Sequence, residues 1–131
     1  MGASIVARTQ LSARHELGVG VLMFGSDYPH EEGTWGRTLE WLQASFGSVG
    51  VPEDETRAIL GLNATRLYRL DIDTLRPLAE CFGPSIQDVL TPADDEALAA
   101  LKDSFRSEGR PITGSNMQRP VAGVPAPQVA P

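Results

Sequence analysis

The sequence predicts an α/β fold, and three observations lead to that prediction. Residues 21–24 form an apolar run that stops at Gly25, which is typical of a short strand buried on both faces. The polar loop that follows contains an acid, a phenol, a proline and an imidazole, as loops at functional strand ends do. Segments with helical apolar spacing lie on both sides of the strand. Because one strand cannot make a sheet, we expect it to pair with another chain, or the chain to be a piece of a larger fold.

The composition limits the classes of function open to the chain. It has 131 residues, at most one domain's worth, and a net charge of −6 with no basic stripe. A nucleic acid or an anionic membrane surface requires clustered positive charge, so we expect neither as a partner. The one cysteine, Cys81, excludes an internal disulfide and a metal site with several cysteine ligands. No apolar run approaches the roughly 18 residues of a membrane span, and we expect a cytoplasmic protein.

The first predicted helix covers residues 9–17 and joins directly to the strand. Thr9 is its expected N-cap, and Leu11 and Leu17 are its expected apolar contacts. Gly18 suits a left-handed C-cap, because glycine adopts positive φ without steric cost. A connection as short as this one is typical of helix–strand units.

The second predicted helix covers residues 34–46, with Thr34 as its N-cap and an end at Gly47 and Gly50. One of its faces is apolar, formed by three residues at i, i+3 and i+7: Leu39, Leu42 and Phe46. We expect this face to pack in the core.

A third helix is expected to start after Pro52, because proline and the acids that follow it suit a helix N-terminus and its dipole. It should run to Gly61. Asn63 is then the expected N-cap of a further helical turn at residues 64–70. Two large residues of that turn are predicted to lie in the core: Leu67 and Tyr68.

The C-terminal part predicts further helices and a tail. Asp73 is the expected cap of a helix at residues 74–82 that stops at Gly83, and residues 86–90 form the next helix. Ser85 and Asp88 have the spacing of a capping box for that second helix. A last helix is expected from Thr91, Pro92 and Asp94 to Gly109. Residues 110–131 are rich in proline without apolar periodicity, and we expect this tail to be disordered or extended.

Two motifs, in this order, resemble the C-terminal end of the amidohydrolase-related family. The first is Phe-Gly-Ser-Asp-Tyr-Pro-His at residues 24–30, and the second is Asn-Ala-Thr-Arg-Leu-Tyr at residues 63–68. Members of this family are metal-dependent (β/α)₈ barrels, and they include hydrolases and decarboxylases such as aminocarboxymuconate semialdehyde decarboxylase. The resemblance covers roughly residues 11–72. It implies a C-terminal fragment of a TIM barrel, with the last strand and the closing helices of a fold that needs about 250 residues.

The resemblance also implies an organisation for the whole chain. Residues 1–72 would be the C-terminal part of the barrel, and residues 73–109 resemble a helical extension of some members. Residues 110–131 would be the tail. The missing strands would belong to another chain or to sequence that a truncated gene or a late start has removed.

The candidate site residues are Asp27 and His30, in the loop after the strand. The resemblance implies that Asp27 is a ligand of a divalent metal, Zn²⁺ in the first place, and assists proton transfer; the alternative is an Asx-turn residue that stabilises the loop. His30 is a candidate substrate contact or acid–base residue, and the alternative is a loop histidine that orders the turn. Family members also use a His-x-His pair, and the two histidines here, His15 and His30, form none.

Several other residues are expected to have structural roles. Asn63 is interpreted as a helix cap, and Arg66 as the partner of an acid on a neighbouring turn. His15 is expected to be solvated. Ser26 is expected to let the strand end pack tightly. Cys81 is expected to be a small buried hydrophobe.

The predicted function is therefore that of an enzyme fragment. The parent reaction would be metal-dependent hydrolysis or non-oxidative decarboxylation of a small carboxylated substrate, and the chain alone would be inactive. Only Asp27 of the metal shell is present, so we expect weak zinc binding. The alternative is a helical remnant or an interaction protein without metal chemistry. The isolated chain is expected to be poorly folded or to form a homo-oligomer through the exposed strand.

Overall fold

The structure is a computed structural model that describes residues 2–3, 6–29, 33–34, 36–94, 96–97 and 99–100. Two short strands pack against a set of helices. The order is β1 (Gly2–Ala3), α1 (Arg8–Ser12), α2 (Arg14–Leu17), a 3₁₀ turn (Val19–Val21), β2 (Met23–Phe24), α3 (Thr38–Leu42), α4 (Glu53–Arg57), α5 (Asn63–Tyr68), α6 (Ile72–Phe82) and α7 (Ile86–Leu90). Two π-helical turns, Gln43–Gly47 and Ala58–Leu62, follow α3 and α4.

The strand predicted at residues 21–24 is shorter in the structure and has a partner within the chain. Strand β2 pairs in parallel with β1, with Gly2 opposite Met23 and Ala3 opposite Phe24. Val21 belongs to the 3₁₀ turn and is 49% exposed, whereas Leu22 is buried. The prediction of one strand was therefore wrong. The two strands and the helices between them form a β–α–β unit, and the described residues contain no closed barrel.

The first predicted helix is divided into α1 and α2 at Ala13. Ala7, and not Thr9, is the N-cap of α1, and the Gln10 side chain accepts a hydrogen bond from the Ala7 backbone N–H at 2.9 Å. Leu11 is buried as expected, but Leu17 is 43% exposed, so its prediction as an apolar contact was wrong. Gly18 is the C-cap of α2 as predicted, with φ at +93°, although its ψ of 110° lies outside the left-handed helical region.

Helix α3 begins at Thr38 and not at Thr34. Thr34 is completely buried, and its carbonyl accepts hydrogen bonds from the Arg37 N–H and the Thr38 hydroxyl. It therefore anchors the turn before the helix instead of capping it. The predicted apolar face is confirmed, because Leu42 and Phe46 are both buried in the core. The chain leaves the helical conformation at Gly50, whose φ is +70°.

Helix α4, the second π-helical turn and α5 form one continuous helical run over residues 53–68. Pro52 is its N-cap, and three acids lie in its first turn, as predicted. The predicted end at Gly61 and cap at Asn63 were wrong, because Asn63 has helical dihedral angles of −66° and −41°. The two residues predicted for the core are exposed: Leu67 at 61% and Tyr68 at 64%.

Helix α6 starts two residues earlier than predicted. Its N-cap is Asp71, whose carboxylate accepts the backbone N–H groups of Asp73 and Thr74. Gly83 ends the helix as predicted. Cys81 is exposed, so its assignment as a buried hydrophobe was wrong.

Helix α7 has the predicted capping box, in which the Ser85 hydroxyl accepts the Asp88 N–H and the Asp88 carboxylate accepts the Ser85 N–H. After it, the Asp94 carboxylate accepts the Ala97 N–H, in agreement with a helix start there. The predicted tail at residues 110–131 lies outside the described residues.

One hydrophobic core holds these elements together. Its members come from the N-terminal segment, from both sides of β2 in sequence and from α7: Val6, Leu11, Leu22, Leu42, Phe46, Val51, Ile59 and Val89. Val89 thus brings α7 into the same core as the β–α–β unit. Among the described residues, no helix is long and apolar enough to cross a membrane.

Candidate functional site

Asp27 lies three residues after β2, at the end where the strand leaves the small parallel sheet. Its φ is +58°, a left-handed conformation that few residues other than glycine, asparagine and aspartate adopt. Its side chain is half-buried, and none of the described residues makes a hydrogen bond or ion pair with its carboxylate. The Asx-turn alternative therefore has no hydrogen bond to support it in the described part of the chain. The peptide bond between Tyr28 and Pro29 is cis.

Gly33 and Thr34 contact the backbone on either side of Asp27. The Thr34 N–H donates to the Ser26 carbonyl oxygen at 2.8 Å. A Cβ atom at Gly33 would lie 2.6 Å from the Ser26 carbonyl oxygen and 2.9 Å from that of Asp27, closer than real Cβ atoms approach. The tight packing expected at Ser26 is thus made by its backbone oxygen. We did not predict either contact, because the only sequence signal is a glycine directly before a predicted cap.

The other candidate residue, His30, lies outside the described residues. Its two predicted roles stay predictions. Within the described part of the chain, no group of three or more His, Cys, Asp or Glu side chains could hold a metal ion. Asp27 is thus one carboxylate donor at a strand end, where a catalytic zinc usually has three protein ligands.

Asn63 and Arg66 donate hydrogen bonds to backbone carbonyl groups of the turn that precedes β2. The buried Asn63 amide donates to the carbonyl oxygens of Val19 and Leu22, both at 2.8 Å. Arg66 donates to the carbonyl oxygen of Gly20 and to Asn63 Oδ1, both at 3.1 Å. The predicted pairing of Arg66 with an acid was wrong, because its recorded partners are a carbonyl and an amide. The second motif therefore fixes the approach to the strand that carries the first.

A cluster of three charged or titratable side chains lies between α2 and α4. Both the Arg14 guanidinium and His15 Nε2 contact the Glu55 carboxylate, the latter at 2.7 Å. The His15 side chain is 67% exposed, in agreement with the solvation expected, but it has an acid partner. The hydrogen bond from Arg14 and then the one from His15 hold the pKa of Glu55 below its usual value.

This cluster predicts a stability that depends on pH. A carboxylate whose folded-state pKa is lowered stabilises the fold above its unfolded-state pKa, and that contribution is lost as the pH falls through the lower, folded-state value. We therefore expect the urea midpoint to fall more in wild type than in Glu55→Gln between about pH 6 and pH 3. Arg14→Gln should reproduce part of the Glu55→Gln effect, because it removes the main cause of the shift. Parallel pH profiles for wild type and Glu55→Gln would contradict this account.

A groove among the described residues lies away from Asp27. It has a volume of about 880 Å³ and runs between α6, α7 and the helical run 53–68. Its floor is mostly apolar, with Phe24 of β2 and Leu60 among its lining residues, and it contains neither Asp27 nor Ser26.

Comparison with known proteins gives one match. Residues 12–70, just under half of the chain, match the family model described as Amidohydrolase. The match covers Asp27, Asn63 and Arg66 and agrees with the resemblance predicted from the two motifs. No curated protein and no solved structure matches the chain.

Proposed function

We propose that this chain, whose residues 12–70 match the amidohydrolase family model, contributes Asp27 to the metal centre of a barrel enzyme. The observation that carries the proposal is the Asp27 carboxylate itself. It stands just beyond the end of a parallel strand, in a left-handed conformation, without a partner among the described residues. A partly buried carboxylate at a strand end, with no hydrogen-bond partner among the described residues, is available to bind a ligand.

The donor set tests how well a metal fits. Asp27 supplies a hard oxygen that suits a divalent cation. The described residues contain no group of three or more His, Cys, Asp or Glu side chains that could hold a metal, and the sequence contains no His-x-His pair. The chain alone does not fit a catalytic zinc, so the remaining ligands would come from sequence or a chain outside the described part. Amidohydrolases are generally metal-dependent; when bound, the metal would activate water or polarise a carboxylated substrate.

The sheet supports the same proposal. Strand β2 pairs with β1 at one edge, and no backbone hydrogen bond at its other edge is found within the described residues. An open edge on a half-buried strand is a place where a further strand can pair. The partner would be the missing part of a barrel or a second copy of this chain. The reaction proposed is hydrolysis or non-oxidative decarboxylation of a small carboxylated substrate in the cytoplasm.

Zinc binding by the isolated chain should be weak. We expect wild type and Asp27→Ala to bind Zn²⁺ equally in calorimetry, because one carboxylate cannot replace the three ligands of a catalytic site. Stoichiometric zinc binding that disappears in Asp27→Ala would show that this chain completes the site without help.

A chimera tests the proposal directly. Residues 12–70 would replace the matching segment of a complete amidohydrolase-family barrel, and the metal content per folded chain would be measured. We expect the chimera to retain its metal, and Asp27→Asn to lower the metal content at least about tenfold. Asp54→Asn is the matched control, because Asp54 is an exposed acid in the first turn of α4. Equal metal loss in both variants, or none in either, would reject Asp27 as the ligand.

The alternative is an interaction protein without metal chemistry. Exposed large side chains on neighbouring helices favour it, with Leu67 and Tyr68 on α5 and Leu78 and Phe82 on α6. A chimera that folds but binds no Asp27-dependent metal would support this alternative.

A further inference from the structure

We propose that Gly33 and Thr34 are positioning residues for Asp27, an inference that rests on the function proposed above. They hold the peptide units before and after Asp27. The backbone conformation of Asp27, and with it the direction of its side chain, is therefore fixed. Neither residue belongs to the two motifs that resemble the family, and neither makes a hydrogen bond to the Asp27 carboxylate.

The first step of the argument is the hydrogen bond at Ser26. The Thr34 N–H donates to the Ser26 carbonyl oxygen at 2.8 Å, and this carbonyl belongs to the peptide unit that enters Asp27. Thr34 has no exposed surface, so water does not compete for its N–H. The peptide plane before Asp27 is therefore fixed.

The second step is the close approach of Gly33. This residue is buried, and a Cβ there would meet the carbonyl oxygens of Ser26 at 2.6 Å and Asp27 at 2.9 Å. Both atoms are backbone, which cannot swing aside as the end of a side chain can. Only glycine leaves room for the peptide unit after Asp27 where it stands. Contacts to the peptide units on both sides of Asp27 thus hold its φ at a positive value.

The third step is the anchor of Thr34 in the fold. The Thr34 carbonyl accepts the Arg37 N–H at 2.9 Å and the Thr38 hydroxyl at 2.9 Å. The hydroxyl groups of Thr34 and Thr38 also lie 3.2 Å apart. Because Thr38 opens α3, the position of Asp27 is tied to a helix whose next turns lie in the core.

Nuclear magnetic resonance of the full chain tests this positioning. A strong intraresidue HN–Hα Overhauser effect at Asp27 reports its positive φ. Slow hydrogen exchange of the Thr34 amide proton reports the hydrogen bond from Thr34 to Ser26. We expect Gly33→Ala to weaken the first and to speed the exchange at Thr34 at least about tenfold. Gly61→Ala is the matched control, because a Cβ at Gly61 meets nothing within 4 Å. If Gly33→Ala keeps both signals, the proposal is wrong.

A second variant decides the question if Gly33→Ala does not fold. Thr34→Val removes the hydroxyl but keeps the N–H that bonds Ser26, so Asp27 should retain its positive φ. Loss of that conformation in Thr34→Val would contradict the claim that the backbone N–H of Thr34, and not its side chain, positions Asp27. Fast exchange of the Thr34 amide in wild type would overturn it as well.

The functional arm separates this inference from the proposed function. In the chimera, Gly33→Ala should lower the metal content per folded chain, and Gly61→Ala should leave it unchanged. A parent chimera without Asp27-dependent metal overturns the proposed function. A metal-binding chimera in which Gly33→Ala changes neither the metal content nor the Asp27 conformation overturns the positioning role alone.

Discussion

Asn63→Asp is expected to lower the free energy of unfolding by about 3–5 kcal/mol, the range for a buried charge or polar group left without partners. The Asn63 amide donates to two carbonyl oxygens at 2.8 Å, those of Val19 and Leu22. A carboxylate of the same shape cannot donate, and it would place negative charge beside both oxygens. Arg66 donates to Asn63 Oδ1 and not to the atom that would replace the amide nitrogen, so it does not relieve the repulsion at the two carbonyl oxygens. A domain of this size has roughly 5–15 kcal/mol of stability in total, so much of the fold's margin would be lost.

Urea denaturation followed by circular dichroism would measure this loss. The matched control is Gln43→Glu, the same exchange of amide for acid at a residue that donates one hydrogen bond, to the Asp88 carbonyl at 2.9 Å, in an exposed contact. We expect the control to cost no more than about 1 kcal/mol. Equal losses of unfolding free energy in the two variants would mean that the two hydrogen bonds from Asn63 to Val19 and Leu22 stabilise the fold no more than one exposed hydrogen bond does.

Gly47→Ala is expected to destabilise the fold by about 2–3 kcal/mol through overpacking. A Cβ at Gly47 would lie 2.6 Å from the carbonyl oxygen of Thr91, 2.8 Å from its carbonyl carbon and 3.0 Å from the Pro92 nitrogen. All three atoms are backbone, so the segment after α7 would have to move away from the π-helical turn. Alanine has the better helix propensity, which offsets only about 1 kcal/mol of that cost.

Gly61→Ala again supplies the control for this substitution. Gly61 lies in the second π-helical turn with open space around its Cβ position, so alanine should be neutral or stabilise by up to about 1 kcal/mol. The difference between the two thermal midpoints isolates the contact with Thr91. If Gly47→Ala is as stable as Gly61→Ala, the close approach of the two segments does not occur in solution.

Features that depend on neighbouring residues could be predicted from the sequence. The helix start at Pro52, the capping box of Ser85 and Asp88, and the helix ends at Gly18 and Gly83 all arise within a few residues of chain. Such local chemistry needs no knowledge of the fold.

Features that depend on distant partners were missed. Asn63 has the residue type and position of a helix cap, but its partners lie 41 and 44 residues earlier in the chain. Gly33 is needed because a backbone oxygen approaches it, and no periodicity encodes that approach. Leu67 and Tyr68 have core chemistry, yet no described element covers them. Local pattern gives the residue type that a position prefers, whereas tertiary contacts decide its role.

The site was predicted in part for the same reason. Asp27 could be found because its motif resembles a family, and the structure places it beyond the end of a parallel strand. Its metal role stays a prediction. The residues that hold its backbone could not be found, because a glycine beside a threonine has no chemical signature of its own.

The position of Val89 in the core shows that the hydrophobic core extends beyond the segment that matches the family. The segment that matches the family stops at residue 70, yet Val89 packs with Leu42 and Phe46, and Gly47 meets the backbone at Thr91. A chain cut at residue 70 would leave that side of Phe46 open to water. Any relative that kept only the family segment would need something else to cover it. The hydrophobic core and the contacts that close it therefore extend to Thr91, beyond the end of the matched segment.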